Sequence, residues 1–117
     1  MPSIKNPLPE CPSTPNCKKA TFIVEHDSSS VFVAFEEALN SMNAETISKS
    51  ENSSQIDAVF KIPIFGYRDD VTVLIQPEGS SSQIYIRSAS REGHWDIWVN
   101  TIRVHRLIKN VKKNLSN

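Results

Sequence analysis

The chain has 117 residues, the length of one domain and enough to bury a core without metal or many disulfides. Its 13 lysines and arginines balance its 13 aspartates and glutamates, so no overall charge directs it to nucleic acid or a membrane surface. No apolar run approaches the roughly 20 residues that span a bilayer. The opening Met1-Pro2-Ser3-Ile4-Lys5-Asn6-Pro7 also lacks the apolar stretch of a signal peptide, so the expectation is a soluble, cytoplasmic protein.

Five of the seven prolines fall within the first fifteen residues. Proline fixes φ and donates no backbone hydrogen bond, so residues 1–19 read as an irregular N-terminal arm and residues 20–117 as a single domain. Thr21 to Glu25 is rich in β-branched and aromatic residues and predicts a strand. Asp27 to Ser30 offers several helix caps. Val31, Phe35, Ala38 and Met42 then recur at helical spacing with Phe32 and Leu39 beside them, and Glu36 and Glu37 fall on the wet side. Asn43 ends this helix. Ala44 to Ser48 predicts a short strand, Glu51 to Ser54 a turn, and Ile56 to Ile62 an alternating strand that Pro63 stops. Gly66 breaks the chain again. Val71 to Ile75 and Gln83 to Arg87 predict a hairpin around Pro77-Glu78-Gly79-Ser80, with Ile84 and Ile86 inward and Tyr85 and Arg87 on the other face.

From about Asp96 or Asn100 the pattern turns helical, with Ile102, Val104, Ile108, Val111 and Leu115 as the apolar stripe. Arg103, Arg106, Lys109, Lys112 and Lys113 follow without an acid. That distribution suits the negative C-terminal end of a helix better than a nucleic-acid patch. The element order β-α-β-β-β-β-α predicts an α+β fold: an antiparallel sheet of about five strands with both helices on one face. A long C-terminal helix on a curved sheet points to a helix-grip-like arrangement, with a ferredoxin-like one as the alternative. Val73, Phe60, Phe35 and Leu39 are expected to share a core with Ile84, Ile86, Ile108 and Val111.

The chemistry-bearing residues concentrate between Arg87 and Arg103. Arg87, Ser88, Ser90, Arg91 and Arg103 provide guanidinium forks and hydroxyls that bind carboxylate or phosphate. Asp69, Asp70 and Asp96 are carboxylates of matching number, so the same arginines can instead be consumed in internal ion pairs. At least one Arg–Asp pair is expected, with Arg91 as the more available arginine. Asp96 and Asn100 fit helix N-caps. His94 beside Trp95 has the chemistry of a general base, but no nucleophile elbow or Gly-rich phosphate loop accompanies it. Tyr85, Trp95 and Trp98 suit either the wall of an apolar pocket or the rim of the core. His26, His94 and His105 are scattered, so no metal and no cofactor are predicted.

Two segments resemble domain-of-unknown-function family 1499. Cys11-Pro12-Ser13-Thr14-Pro15-Asn16-Cys17 matches its Cys-Pro-x-x-Pro-Asn-Cys signature. Tyr67-Arg68-Asp69-Asp70, followed by Arg87-Ser88-Ala89-Ser90-Arg91-Glu92-Gly93, matches its aromatic-x-Asp-Asp and Arg-Ser-x-Ser-Arg-x-Gly motifs, in order. Asp96, Asn100 and Arg103 fall where that family has Asp, Asn and Arg. The resemblance covers roughly residues 8–115. It departs at Trp98, where the family commonly has glycine, and at Lys18 and Lys19, where relatives carry small residues. Many relatives look exported or membrane-attached. The resemblance brings no established activity; it implies domain limits and motif positions.

That signature also places Cys11 and Cys17 together in the arm. They enclose five residues with two prolines, a loop that suits a structural disulfide or paired thiols. A redox pair and a metal site are the alternatives, although zinc normally takes four ligands. The functional expectation is a non-catalytic binding module for a small anionic or amphipathic ligand. The site is Arg87, Ser88, Ser90, Arg91, Asp96, Asn100 and Arg103, with no nucleic-acid partner. A protein-interaction or scaffold domain is the alternative, and an enzyme ranks last. A cavity near Arg87 favours the first reading; a filled core with an exposed Trp98 favours the second.

Overall fold

In chain order the elements are β1 (Cys17–Val24), α1 (Ser28–Ser41), β2 (Thr46–Ser50), β3 (Gln55–Lys61), β4 (Arg68–Glu78), β5 (Ser81–Ser90) and α2 (Val99–Leu115). They come from a computed structural model that describes residues 6–12, 16–50, 52, 54–62, 66–91 and 98–116. The observed order is the β-α-β-β-β-β-α of the sequence. The strand bounds differ: β2 and β3 shift by one or two residues, and three strands lengthen. β1 begins at Cys17 rather than Thr21, and β4 and β5 run to 11 and 10 residues.

The five strands form one sheet in the order β1-β5-β4-β3-β2, with every neighbouring pair antiparallel. Strands β2 to β5 are a meander of short connections. The link from β4 to β5 leaves only Gly79 and Ser80 outside the strands, and Gly79 takes φ +65°, the left-handed backbone that a tight hairpin needs and glycine accepts without strain. α1 carries the chain from β1 on one edge to β2 on the other. A ferredoxin-like sheet interleaves its strands differently, so this topology excludes that alternative.

Both helices lie on one face. α2 packs on β5 and β1, α1 on β4 and β5, and the helices on each other. The sheet supplies Ile56, Ala58, Val71, Val73, Ile75, Ile84 and Ile86 to this face, all at most 2% exposed. α1 adds Val31, Ala34, Phe35, Ala38 and Leu39. Asp27 caps α1, its carboxylate accepting from the Ser30 N–H at 3.1 Å and the Ser30 hydroxyl at 2.7 Å. Those bonds hold its carboxyl below the usual aspartate value. Asn43, at φ +67°, ends α1 in the left-handed conformation that asparagine tolerates.

The expected core is the observed one, with Ile108 partly buried at its edge. One phase needs correcting. Ile102, assigned to the apolar stripe of α2, is 54% exposed, and Leu107 is fully buried. The inward face is Asn100, Val104, Leu107 and Val111, a heptad-like spacing that starts on a polar residue. Reading Ile102 as inward rests on its being apolar; the helical phase places Asn100 there instead. Among the described residues, no helix is long and apolar enough to cross a membrane.

Candidate functional site

The inward face of β5 changes character along its length. Ile84 and Ile86 continue the core, and Ser88 and Ser90 occupy the same face one and two steps further. Asp69 stands opposite Ser90 on β4. Asn100 is the inward residue of the first turn of α2. The polar end of the sheet therefore meets the polar start of the helix, in a place where Asp69, Ser88 and Asn100 are each at most 1% exposed.

A connected set of bonds compensates this burial. The Ser88 hydroxyl donates to Asn100 Oδ1. Asn100 Nδ2 donates to the Asn16 carbonyl at 2.9 Å and to Ser90 Oγ at 3.0 Å. The Asn16 carbonyl also accepts from the Ser90 N–H at 3.0 Å. Arg103 Nη1 donates to Asn100 Oδ1 at 2.8 Å and to Ser88 Oγ at 3.3 Å. The same nitrogen lies 2.7 Å from Asp69 Oδ2. Among the described residues this oxygen accepts no hydrogen bond, so charge rather than a linear N–H holds the contact. The Arg103 guanidinium carbon also stands 4.8 Å from the centre of the Phe60 ring. Four elements meet here: the end of the arm, β4, β5 and α2. The arrangement is an internal lock, and Ser88, Ser90, Asn100 and Arg103 of the predicted site all belong to it.

Arg87 and Arg91 lie elsewhere. Arg87 is on the opposite face of the sheet, where Nε donates to the Pro9 carbonyl at 2.8 Å and Nη2 to that of Glu10 at 3.2 Å. It fastens the arm and does not join the lock. Arg91 takes Asp70 in a two-pronged pair, at 2.9 and 2.8 Å, and both side chains are about half exposed, at 47% and 49%. The expectation that Arg91 is the available arginine is thus corrected, because its fork is engaged. Asp96, with His94 and Trp95, falls outside the described residues. Asn100 is not a cap. The N-cap of α2 is Trp98, at φ +73°, with no side-chain cap bond. The glycine that the resemblance expects at this position takes such a backbone without strain; a tryptophan does not.

Cys11 and Cys17 form a disulfide. The arm runs back beside β1. Asn6 Nδ2 donates to the Ala20 carbonyl at 3.1 Å and Lys19 Nζ to that of Leu8 at 2.9 Å. Asn16 immediately precedes Cys17, so the disulfide lies one residue from the lock. No three of His, Cys, Asp and Glu come together as metal ligands among the described residues.

The space next to the lock is a groove of about 420 Å³ between the start of α2, the end of β3 and the end of α1. Met42, Phe60, Ile62, Val99 and Ile102 give it an apolar floor and wall; Lys61, Arg103 and Arg106 give it positive charge. Arg103 is neutralised by Asp69, whereas Arg106 has no carboxylate partner among the described residues. Of the predicted site residues that the structure describes, only Arg103 lines this groove. Sequence reasoning missed Lys61, Phe60 and Arg106 as neighbours, since they are brought together by strand and helix packing. Asn16 carried a signal, as it sits inside the Cys-Pro-x-x-Pro-Asn-Cys segment.

An antiparallel sheet gripping a C-terminal helix, with a groove at one end of their contact, defines a helix-grip-like α+β domain. The chain belongs to the family described as protein of unknown function (DUF1499), whose model matches residues 7–111. No curated protein matches it by sequence. Among solved structures it is similar to the di-domain ARO/CYC protein BexL from the BE-7585A biosynthetic pathway, with a TM-score of 0.54 and 10% identity. That match covers 86% of this chain and 44% of BexL, so the chain spans less than half the length of that protein. It is also similar to TTHA0849 from Thermus thermophilus, at a TM-score of 0.45 and 11% identity, over 84% of this chain and 95% of that one. Identities this low bear on the fold alone.

Proposed function

We propose that this domain is a non-catalytic binding module for a small amphipathic anion, and that the ligand lies in the groove beside α2 and not at Arg87, which is bonded to the arm. The exposed Trp98 answers instead to the expectation of a contact surface and stands outside this groove. The observation that carries this reading is the composition of the groove: apolar Phe60, Ile62 and Ile102 face the same space as Arg106 and Lys61. The apolar part of the ligand covers the side chains that water now touches, and its carboxylate or phosphate meets Arg106. Guanidinium is suited to both groups because its fork matches their oxygens. Arg103 contributes less, since Asp69 already neutralises it. The helix-grip-like fold supports the reading in a general way, because grooves between a sheet and a helix are common places for ligands.

The test is a calorimetric titration with dodecyl phosphate below its micelle concentration. The expected result is one site per chain. Arg106→Ala should weaken binding about tenfold or more, the scale of one charge-assisted hydrogen bond, and Ile102→Ala should weaken it as well. Arg91→Ala should leave the affinity unchanged. Equal affinity for the wild-type chain and Arg106→Ala, or no saturable binding at all, would overturn the reading.

A further inference from the structure

The outer face of α2 is uniform in charge. At about 100° per residue, Ile102, His105, Arg106, Lys109, Lys112 and Lys113 project within an arc of about 120°, on the side away from Asn100, Val104, Leu107 and Val111. The helix contains no acid. Arg106, Lys109 and Lys113 have no carboxylate partner among the described residues. Lys112 and Lys113 sit in the last turn and suit the helix dipole, but Arg106 and Lys109 precede it. Dipole compensation therefore leaves half of this charge unexplained.

The same face begins with exposed apolar side chains. Trp98, Val99 and Ile102 are 60%, 37% and 54% exposed. Trp98 also holds a left-handed backbone that a bulky side chain disfavours, without burying its ring in the domain. An apolar tip followed by a basic ladder matches one kind of partner. We propose that this face docks on an anionic lipid bilayer, with Trp98, Val99 and Ile102 among the headgroups and Arg106, Lys109 and Lys113 over the surface charge. Tryptophan favours that depth, where its ring is in an apolar medium and its N–H stays near water. Basic side chains beside an anionic leaflet add to the attraction. A second copy of the chain does not fit, because two such faces repel. A nucleic acid meets the lysines but offers little to Val99 and Ile102. Val99, Ile102 and Arg106 also line the groove, so the inference is carried by Trp98, Lys109 and Lys113, which do not.

The experiment is vesicle co-sedimentation of the full chain, with phosphatidylcholine alone and with phosphatidylcholine containing phosphatidylserine. The chain should pellet with the anionic vesicles and not with the neutral ones. Lys109→Gln with Lys113→Gln should lower the partition about 30-fold, and Trp98→Ala on the order of tenfold. None of these residues lines the groove, so all variants should bind dodecyl phosphate as the wild-type chain does. No binding to anionic vesicles, or binding that Trp98→Ala leaves intact, overturns the proposal. So does tighter binding to a DNA duplex that depends on Lys109 and Lys113 but not on Trp98. Vesicle binding without dodecyl phosphate binding sinks only the groove reading.

Discussion

Replacing Asn100 by alanine should be among the most damaging single changes in this domain. The side chain is fully buried and takes part in hydrogen bonds to the Asn16 carbonyl and Ser90 Oγ and from Ser88 Oγ and Arg103 Nη1. The partners do not lose equally. The Asn16 carbonyl keeps the Ser90 N–H, and Arg103 keeps Asp69. The buried Ser88 hydroxyl loses its acceptor. A charge-assisted bond contributes about 1.5–3 kcal/mol and a stranded buried hydroxyl costs about 1–3 kcal/mol. The expected loss is about 3–5 kcal/mol, a large part of the roughly 5–15 kcal/mol that holds a domain together. Urea unfolding followed by circular dichroism should show a lower midpoint at an unchanged slope. At this length the melting temperature should fall by roughly 10–20 °C. A double-mutant cycle with Ser88→Ala should give a coupling of about 1 kcal/mol or more. A loss below about 1 kcal/mol, or no coupling to Ser88, would refute the view that Asn100 holds this joint.

Two ion pairs should differ sharply in what their loss costs. Arg103→Ala leaves Asp69 charged and buried, the pair being 10% and 2% exposed, and should cost about 3–5 kcal/mol. Arg91→Ala removes an exposed pair, 47% and 49% exposed, and should cost under about 1 kcal/mol, less in high salt; chemical denaturation of both variants checks the contrast. Ellman titration of the unfolded chain should find no free thiol before reduction and two after it, and Cys11→Ser with Cys17→Ser should lower stability by about 2 kcal/mol, as expected for closing so short a loop. Asp27 has a folded pKa below its ordinary 3.8. Its contribution is therefore complete above that value and is lost as the pH falls through the lower folded one. Asp27→Asn should flatten this acid limb of the stability curve, measured by thermal melts between neutral and acid pH.

Element type and order were legible in the sequence because burial imprints a period on each segment. Val71, Val73 and Ile75 alternate as a half-buried strand must, and Val31, Phe35 and Leu39 recur as an amphipathic helix must. A pair of cysteines in a proline-rich loop also announced that they belong together. The hairpin at Gly79 followed from glycine's tolerance of positive φ. These features depend on residues close together along the chain. The lock does not. Its bond from Asn100 to the Asn16 carbonyl spans 84 residues, and Asp69 reaches it only through the register that sets it opposite Ser90. Three arginines looked equivalent by type, yet the fold sends Arg87 to the outer face of the sheet, Arg91 to Asp70 at the surface and Arg103, from α2, inward to Asp69. Even the phase of α2 needed the structure. Ile102 is apolar and faces outward, while Asn100 is polar and faces inward, because partners from the arm, β5 and its own helix satisfy its amide where water cannot. Hydrophobic pattern decides a side chain's place only when no buried hydrogen-bond network competes for it, and such a network exists only once the chain has folded.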